Sequence, residues 1–232
     1  MDLRPPDIVI IAGGDIVDPL VVSDVDPSVA LVIAADSGLD VATALGWADE
    51  VDVVVGDFDS VSHEALDRAA IRGADIRPHP ADKDWTDLEL ALAAADEAAG
   101  DSAGGDAPQV LVLGVTGGRS DHELANLLLL AAPDFARLRI AWRSATGRGW
   151  VARGRLVVPV AAPSTVSVIP VHGQATVSLE GFNWPLDQRE IAPGSTLGVS
   201  NLAIVDHPVL TVHDGVALVF APTSSRSGEP AR

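Results

Sequence analysis

The chain is 232 residues long and 47% hydrophobic, which provides a sizeable core and excludes a disordered protein. A formal net charge of -18 repels polyanions over most of the surface and argues against nucleic acid or an anionic membrane as partner. With no cysteine, the sequence excludes disulfides, thiolate metal sites and a cysteine nucleophile.

The opening "MDLRPPDIVIIAGGD" holds an apolar run too short for a signal-peptide core or a membrane span, so a cytoplasmic location is expected. In chain order, "DIVIIAGG" (7–14), "VALVIAADSG" (29–38), "VDVVVGDFDS" (51–60) and "QVLVLGVTGG" (109–118) are Val/Ile-rich runs that end in Gly, Asp or Ser. Between and after them, "HEALDRAAIRG" (63–73), "TDLELALAAADEAAG" (86–100) and "DHELANLLLLAA" (121–132) read as helices. Continuous apolarity, rather than alternation, predicts strands buried on both faces and hence an α/β domain with a mostly parallel sheet and flanking helices over 1–144. Thr86 with Glu89, and Ser120 with Glu123, spell capping boxes, and "DSAGGDAPQ" (101–109) reads as a surface connection. From about residue 145 the texture changes to short Val-rich runs punctuated by Gly and Pro, predicting an all-β, sandwich-like domain over 145–222. The polar remainder, 223–232, is expected to be a disordered tail.

In an open parallel sheet the ligand crevice lies beyond the carboxyl ends of the strands. Asp36, Asp57, Asp59, Gly117, Gly118 and Arg119 follow strand ends, and the "DKDWTD" segment (82–87) and Asp121 stand at helix starts facing the same edge. Carboxylates without cysteine or clustered histidine suit a hard cation such as Mg²⁺, which commonly bridges carboxylates to nucleotide phosphates. The chain's single lysine, Lys83, lies inside that segment between Asp82 and Asp84. Lysine is a compact point charge suited to a phosphate oxygen, but it is equally at home solvated in a loop. Thr86 and Ser120 are explained as helix caps, and Asp121 as a carboxylate placed well for the helix dipole. The two carboxylates of Asp57-Phe58-Asp59 reach one ion only if the strand has ended before them.

Together and in order, "GGD" (13–15), "AADSG" (34–38), "GDFDS" (56–60), "DKDWTD" (82–87) and "GGRSDHELAN" (117–126) resemble the thiamine pyrophosphokinase (thiamine diphosphokinase) family, and "FNWPL" (182–186) and "GVSN" (198–201) extend the likeness into the second half. The resemblance implies transfer of pyrophosphate from ATP to the hydroxyethyl group of thiamine with Mg²⁺, releasing AMP, in a homodimer whose sites form between subunits. It implies Asp57, Asp59 and Asp84 as metal carboxylates, with Asp36, Asp82, Thr86 and Asp87 beside them and Gly117 and Gly118 in the nucleotide loop. Lys83 and Arg119 would hold phosphates, and Asp121 would either orient Arg119 or activate the thiamine hydroxyl. Trp184 would stack on the cationic thiamine rings, although a β-domain core tryptophan is the reading its sequence context alone favours. Ser200 and Asn201 would bond the aminopyrimidine. Ser37 stands where many members have glycine. A pyrophosphokinase for another hydroxyalkyl heterocycle such as a pterin, or a non-catalytic thiamine or nucleotide sensor, are the alternatives.

Overall fold

Aliphatic runs without a polar face need backbone partners on both sides and side-chain cover above and below. The computed structural model describes residues 4–15, 18–82, 84–100, 107–117 and 119–223, so the expected tail from 224 and most of the 101–109 connection lie outside the described residues. β1 (Ile8–Ile11), β2 (Leu31–Ala35), β3 (Val53–Gly56), β4 (Asp75–Pro78), β5 (Gln109–Leu113) and β6 (Arg139–Ser144) pair in parallel, in the spatial order β4-β3-β2-β1-β5-β6. The chain winds outward from β1 to β4, and α3 (Asp87–Ala99) then carries it back across to β5 on the other side of β1. That reversal makes the gap beyond β1 and β5 a topological switch point, where open α/β sheets bind ligands.

Helices cover both faces. Leu88, Leu90 and Leu92 of α3, with Leu127 and Leu130 of α4 (Ser120–Leu130), pack on one face against Ile8, Ile10, Ile33, Val110 and Val112. On the other, Leu39 and Val41 of α1 (Gly38–Ala44) and Ala65 and Ala69 of α2 (His63–Arg72) cover Val9, Ile11, Val32, Val54 and Leu113. At roughly 1.5–3 kcal/mol for each large aliphatic side chain fully buried, these two layers are the main stabilising term of this half.

β6 turns back into β7 (Gly147–Ala152), and the sheet continues without interruption as antiparallel strands, β7-β12-β9-β10, where β12 is Val209–Pro222, β9 is Ser164–Glu180 and β10 is Leu186–Ile191. β8 (Arg155–Val157) adds to β12 and β11 (Asn201–Ala203) to β9. The two halves are therefore hydrogen-bonded into one sheet, with a separate core around Leu156, Val166, Val177, Leu179, Phe182 and Leu210 in the antiparallel part. Several short strands were expected here. Instead, β9 and β12 are single long strands that bend where His172 (φ 58°) and Gly215 (φ 82°) interrupt the pairing register without ending it. No helix among the described residues is long and apolar enough to cross a membrane.

Candidate active site

At the switch point two loops are stitched together through their backbones. Gly14 N–H donates to the Gly114 carbonyl and Asp15 N–H to the Thr116 carbonyl, both at 3.0 Å. The approach leaves no space for a side chain: a Cβ on Gly14 would lie 2.1 Å from Gly114 O. The second loop is braced from α4, where Asn126 Nδ2 donates to Val115 O and Glu123 Oε2 accepts from Gly117 N–H, each at 3.3 Å. The capping box expected at Ser120 is thus corrected. Arg119 occupies the N-cap without a side-chain cap bond, Ser120 is the first helical residue, and the Glu123 carboxylate reaches past both to Gly117. At α3 the expectation holds for Thr86, whose Oγ1 accepts from Glu89 N–H at 3.2 Å and sets Asp87 in the first turn.

Beyond β2 and β3 the carboxylates converge. Asp36 leaves β2 in the left-handed region (φ 47°), its N–H donating to Val55 O at 2.8 Å, and is 6% exposed. Gly56 ends β3 at φ 148° and lies so close that a Cβ there would sit 3.0 Å from Asp36 Cβ, so a larger residue would push the two strand ends apart. One carboxylate oxygen from each of Asp36, Asp57 and Asp87 lies within 4.8 Å of the other two. Asp36 Oδ1 is buried with no hydrogen-bond partner. Burial first, then the charges of Asp87, Asp59 and Asp57, raise the Asp36 pKa against the opposing hydrogen bond from Ser37 N–H. Three converging hard oxygen donors, one of them an orphan in a buried position, fit a divalent cation of the Mg²⁺ type.

This set differs from the one expected from the motifs. Of Asp57, Asp59 and Asp84, only Asp57 enters the cluster, while Asp36 and Asp87 complete it. Phe58 takes φ 62°, so the chain coils after Gly56: Asp59 N–H donates to Asp57 Oδ1 at 3.3 Å, and Asp59 Oδ1 accepts from Ser60 Oγ at 2.7 Å. Asp82 and Asp84 are exposed in the loop before Thr86, and Lys83 and Gly118 lie outside the described residues.

Arg119 and Asp121 form an exposed two-point pair, Nε to Oδ1 at 3.1 Å and Nη2 to Oδ2 at 2.6 Å. The guanidinium is the largest cause holding the Asp121 carboxyl at about 2. In the antiparallel half, Trp184 is 60% exposed and no part of the core. Asn201 is buried behind it, its carboxamide bonded to the Trp184 backbone, and Ser200 is exposed at φ 57° with its N–H on Ser167 Oγ. Glu123 and Asn126 as loop braces were missed in the sequence, though both lie inside the "GGRSDHELAN" stretch at helical spacing facing the loop.

Fold and edge together define a class: an α/β protein with carboxylates converging at the carboxyl edge of its parallel sheet, next to a topological switch point, joined to an antiparallel β half. The model of the "Thiamin pyrophosphokinase, catalytic domain" matches residues 24–142, and that of the "Thiamin pyrophosphokinase, vitamin B1 binding domain" matches 157–216. The chain belongs to the thiamin pyrophosphokinase family. It is 28% identical over 171 residues to thiamine pyrophosphokinase of Bacillus subtilis, covering 72% of this chain and 77% of that one. It is 24% identical over 199 residues to thiamine pyrophosphokinase 2 of Arabidopsis thaliana, covering 78% and 68%. The crystal structure of the Bacillus subtilis protein superposes with a TM-score of 0.77 at 27% identity, over 94% of this chain and 99% of that chain. That of thiamin pyrophosphokinase from Geobacillus thermodenitrificans gives 0.75 at 28%, over 94% and 98%.

Proposed function

We propose that this protein transfers the pyrophosphoryl group of ATP to the hydroxyethyl oxygen of thiamine, giving thiamine diphosphate and AMP. The observation that carries the reading is the convergence of Asp36, Asp57 and Asp87 at the carboxyl edge of the sheet, in a chain matched along both halves by its family. In the reaction the thiamine oxygen bonds to the β-phosphorus, the bond from that phosphorus to the α,β-bridging oxygen breaks, AMP departs, and the hydroxyl proton passes to solvent.

Asp36, Asp57 and Asp87 would hold Mg²⁺, with Asp59, Asp82 and Asp84 as surrounding carboxylates. The ion supplies neutralisation of the phosphate oxygens. Arg119 and Lys83 would bind phosphate, with Gly117 and Gly118 as the nucleotide-loop glycines of this reading. Asp121 orients Arg119 rather than accepting the hydroxyl proton, because a carboxylate held at about 2 is a weak base at neutral pH. Residues 1–144 serve the nucleotide and 145–222 the vitamin, whose cationic rings stack on Trp184 with Ser200 beside it. The ATP donor makes the cytoplasm the working compartment.

Strand order supports a homodimer with shared sites. β9, which carries β11 and the Trp184 loop, stands six strands from β2 along the sheet. At about 4.8 Å per step that is roughly 29 Å measured along the sheet, a separation that favours a thiamine site completed by the carboxylates of a second subunit. A two-fold partner closes the gap. Incubation with ATP, Mg²⁺ and thiamine, followed by chromatography, should yield thiamine diphosphate and AMP and should fail with chelator; no product with thiamine but turnover with another hydroxyalkyl heterocycle would overturn the assignment.

A further inference from the structure

Asn201 is 4% exposed, and its carboxamide is almost entirely committed within the chain. Oδ1 accepts from Trp184 N–H at 3.2 Å and from Leu202 N–H at 2.9 Å, while Nδ2 donates to Trp184 O at 2.8 Å. The donor to Trp184 O and the acceptor from Trp184 N–H together fix which way the amide faces, and one N–H of its four hydrogen-bonding sites remains. Trp184 has no place in the β-ladder at this point. The backbone pairing of its segment runs through Phe182, bridged to Ala203, and Asn183, whose N–H donates to Leu202 O at 2.8 Å, and Pro185 follows with no N–H to give. The Asn201 side chain therefore acts as a substitute peptide, pairing both polar groups of Trp184 where the strand has none to offer. What it holds is a main chain whose indole is 60% exposed.

We infer that Asn201 is a positioning residue that presets the Trp184 indole as the stacking face for the cationic rings of thiamine, instead of contacting the aminopyrimidine. The inference rests on the proposed role of Trp184. Ordering that loop before the ligand arrives removes an entropic cost from binding, so the effect falls on thiamine and not on ATP.

A double-mutant cycle on the full-length enzyme separates the possibilities. Trp184→Ala should raise the KM for thiamine roughly ten- to thirty-fold, the range expected of a largely desolvated cation–π contact, with the KM for ATP unchanged. Asn201→Ala should raise the thiamine KM comparably, and the double variant should be no worse than Trp184→Ala alone. Additive losses, or an Asn201→Ala enzyme with the native thiamine KM, would overturn the inference while leaving the stacking role standing. A native thiamine KM in Trp184→Ala would remove the stacking role and the inference with it. Should Asn201→Ala fail to fold, the wild-type protein decides the matter by ¹⁵N NMR: on titration with thiamine the Trp184 indole N–H signal should shift, and the Asn201 carboxamide should shift less. The reverse order would make Asn201 the direct contact.

Discussion

Asp36→Asn should stabilise the protein in the absence of divalent metal and abolish its response to Mg²⁺. The substitution keeps the shape of the side chain and suits the left-handed backbone at φ 47°, a conformation asparagine tolerates as well as aspartate. What it removes is a charge whose neighbours lie within 4.8 Å. At that separation one carboxylate pair repels by about 3.5 kcal/mol at an effective dielectric of 20, and by about 0.9 kcal/mol with water-like screening. Asp57 and Asp87 are half-buried, so water reaches them, and relief of about 1–3 kcal/mol is expected. For a chain of this size that corresponds to a Tm rise of about 2–10 °C near neutral pH. The sign follows from the raised pKa. The folded wild type binds this proton more tightly than the unfolded chain does. Asp36 therefore favours folding fully below its ordinary value of 3.8 and loses that contribution as pH rises through its folded pKa, so the advantage of the variant opens with rising pH. Thermal melts of both proteins across this range, with and without millimolar Mg²⁺, test the reasoning. Mg²⁺ should raise the wild-type Tm and leave that of the variant nearly unmoved. A metal-free variant that melts at or below the wild type near neutral pH would refute it.

Asp57→Asn and Asp87→Asn should each lower kcat by about two to three orders of magnitude at saturating Mg²⁺ with an unchanged circular dichroism spectrum, whereas Asp59→Asn should cost less. Asp121→Asn should weaken ATP use through a released Arg119 while the acid limb of the pH–rate profile keeps its position, because a group held at about 2 does not titrate in the assay range; a lost limb would make Asp121 the base. Assayed at thiamine no higher than the wild-type KM, where both parents are nearly inactive, a mixture of Asp57→Asn and Trp184→Ala chains should, after subunit exchange, recover about a quarter of the wild-type activity, since about half the dimers are mixed and each has one intact site. Activity no greater than that of the parents would return Trp184 to its own subunit's site.

β1, β2, β3 and β5 were legible because runs such as "VALVIAA" have no polar face to offer water, and α2 and α3 because each starts on a side-chain cap and ends at a glycine. α1 was not. It spans seven residues, begins with Gly38, and has no cap bond from Ser37. β4, "DIRP", is an edge strand with an exposed, polar pattern that carries no strand period. At the site, composition showed that carboxylates gather at one edge, but not which of them share a centre. Two left-handed backbone conformations, φ 47° at Asp36 and φ 62° at Phe58, shape the strand ends at which Asp36 and Asp57 converge with Asp87. Spacing along the chain contains neither. The commitment of Asn201 to Trp184 is equally invisible, because it joins residues 17 apart that are brought side by side by the pairing of Phe182 with Ala203.

The central claim is that two phosphates move together to thiamine. ATP labelled with ³²P at the β-position tests it most directly: after turnover with thiamine and Mg²⁺, the label should reside in thiamine diphosphate and the AMP should carry none. Label retained in ADP, with unlabelled thiamine monophosphate formed, would contradict the account.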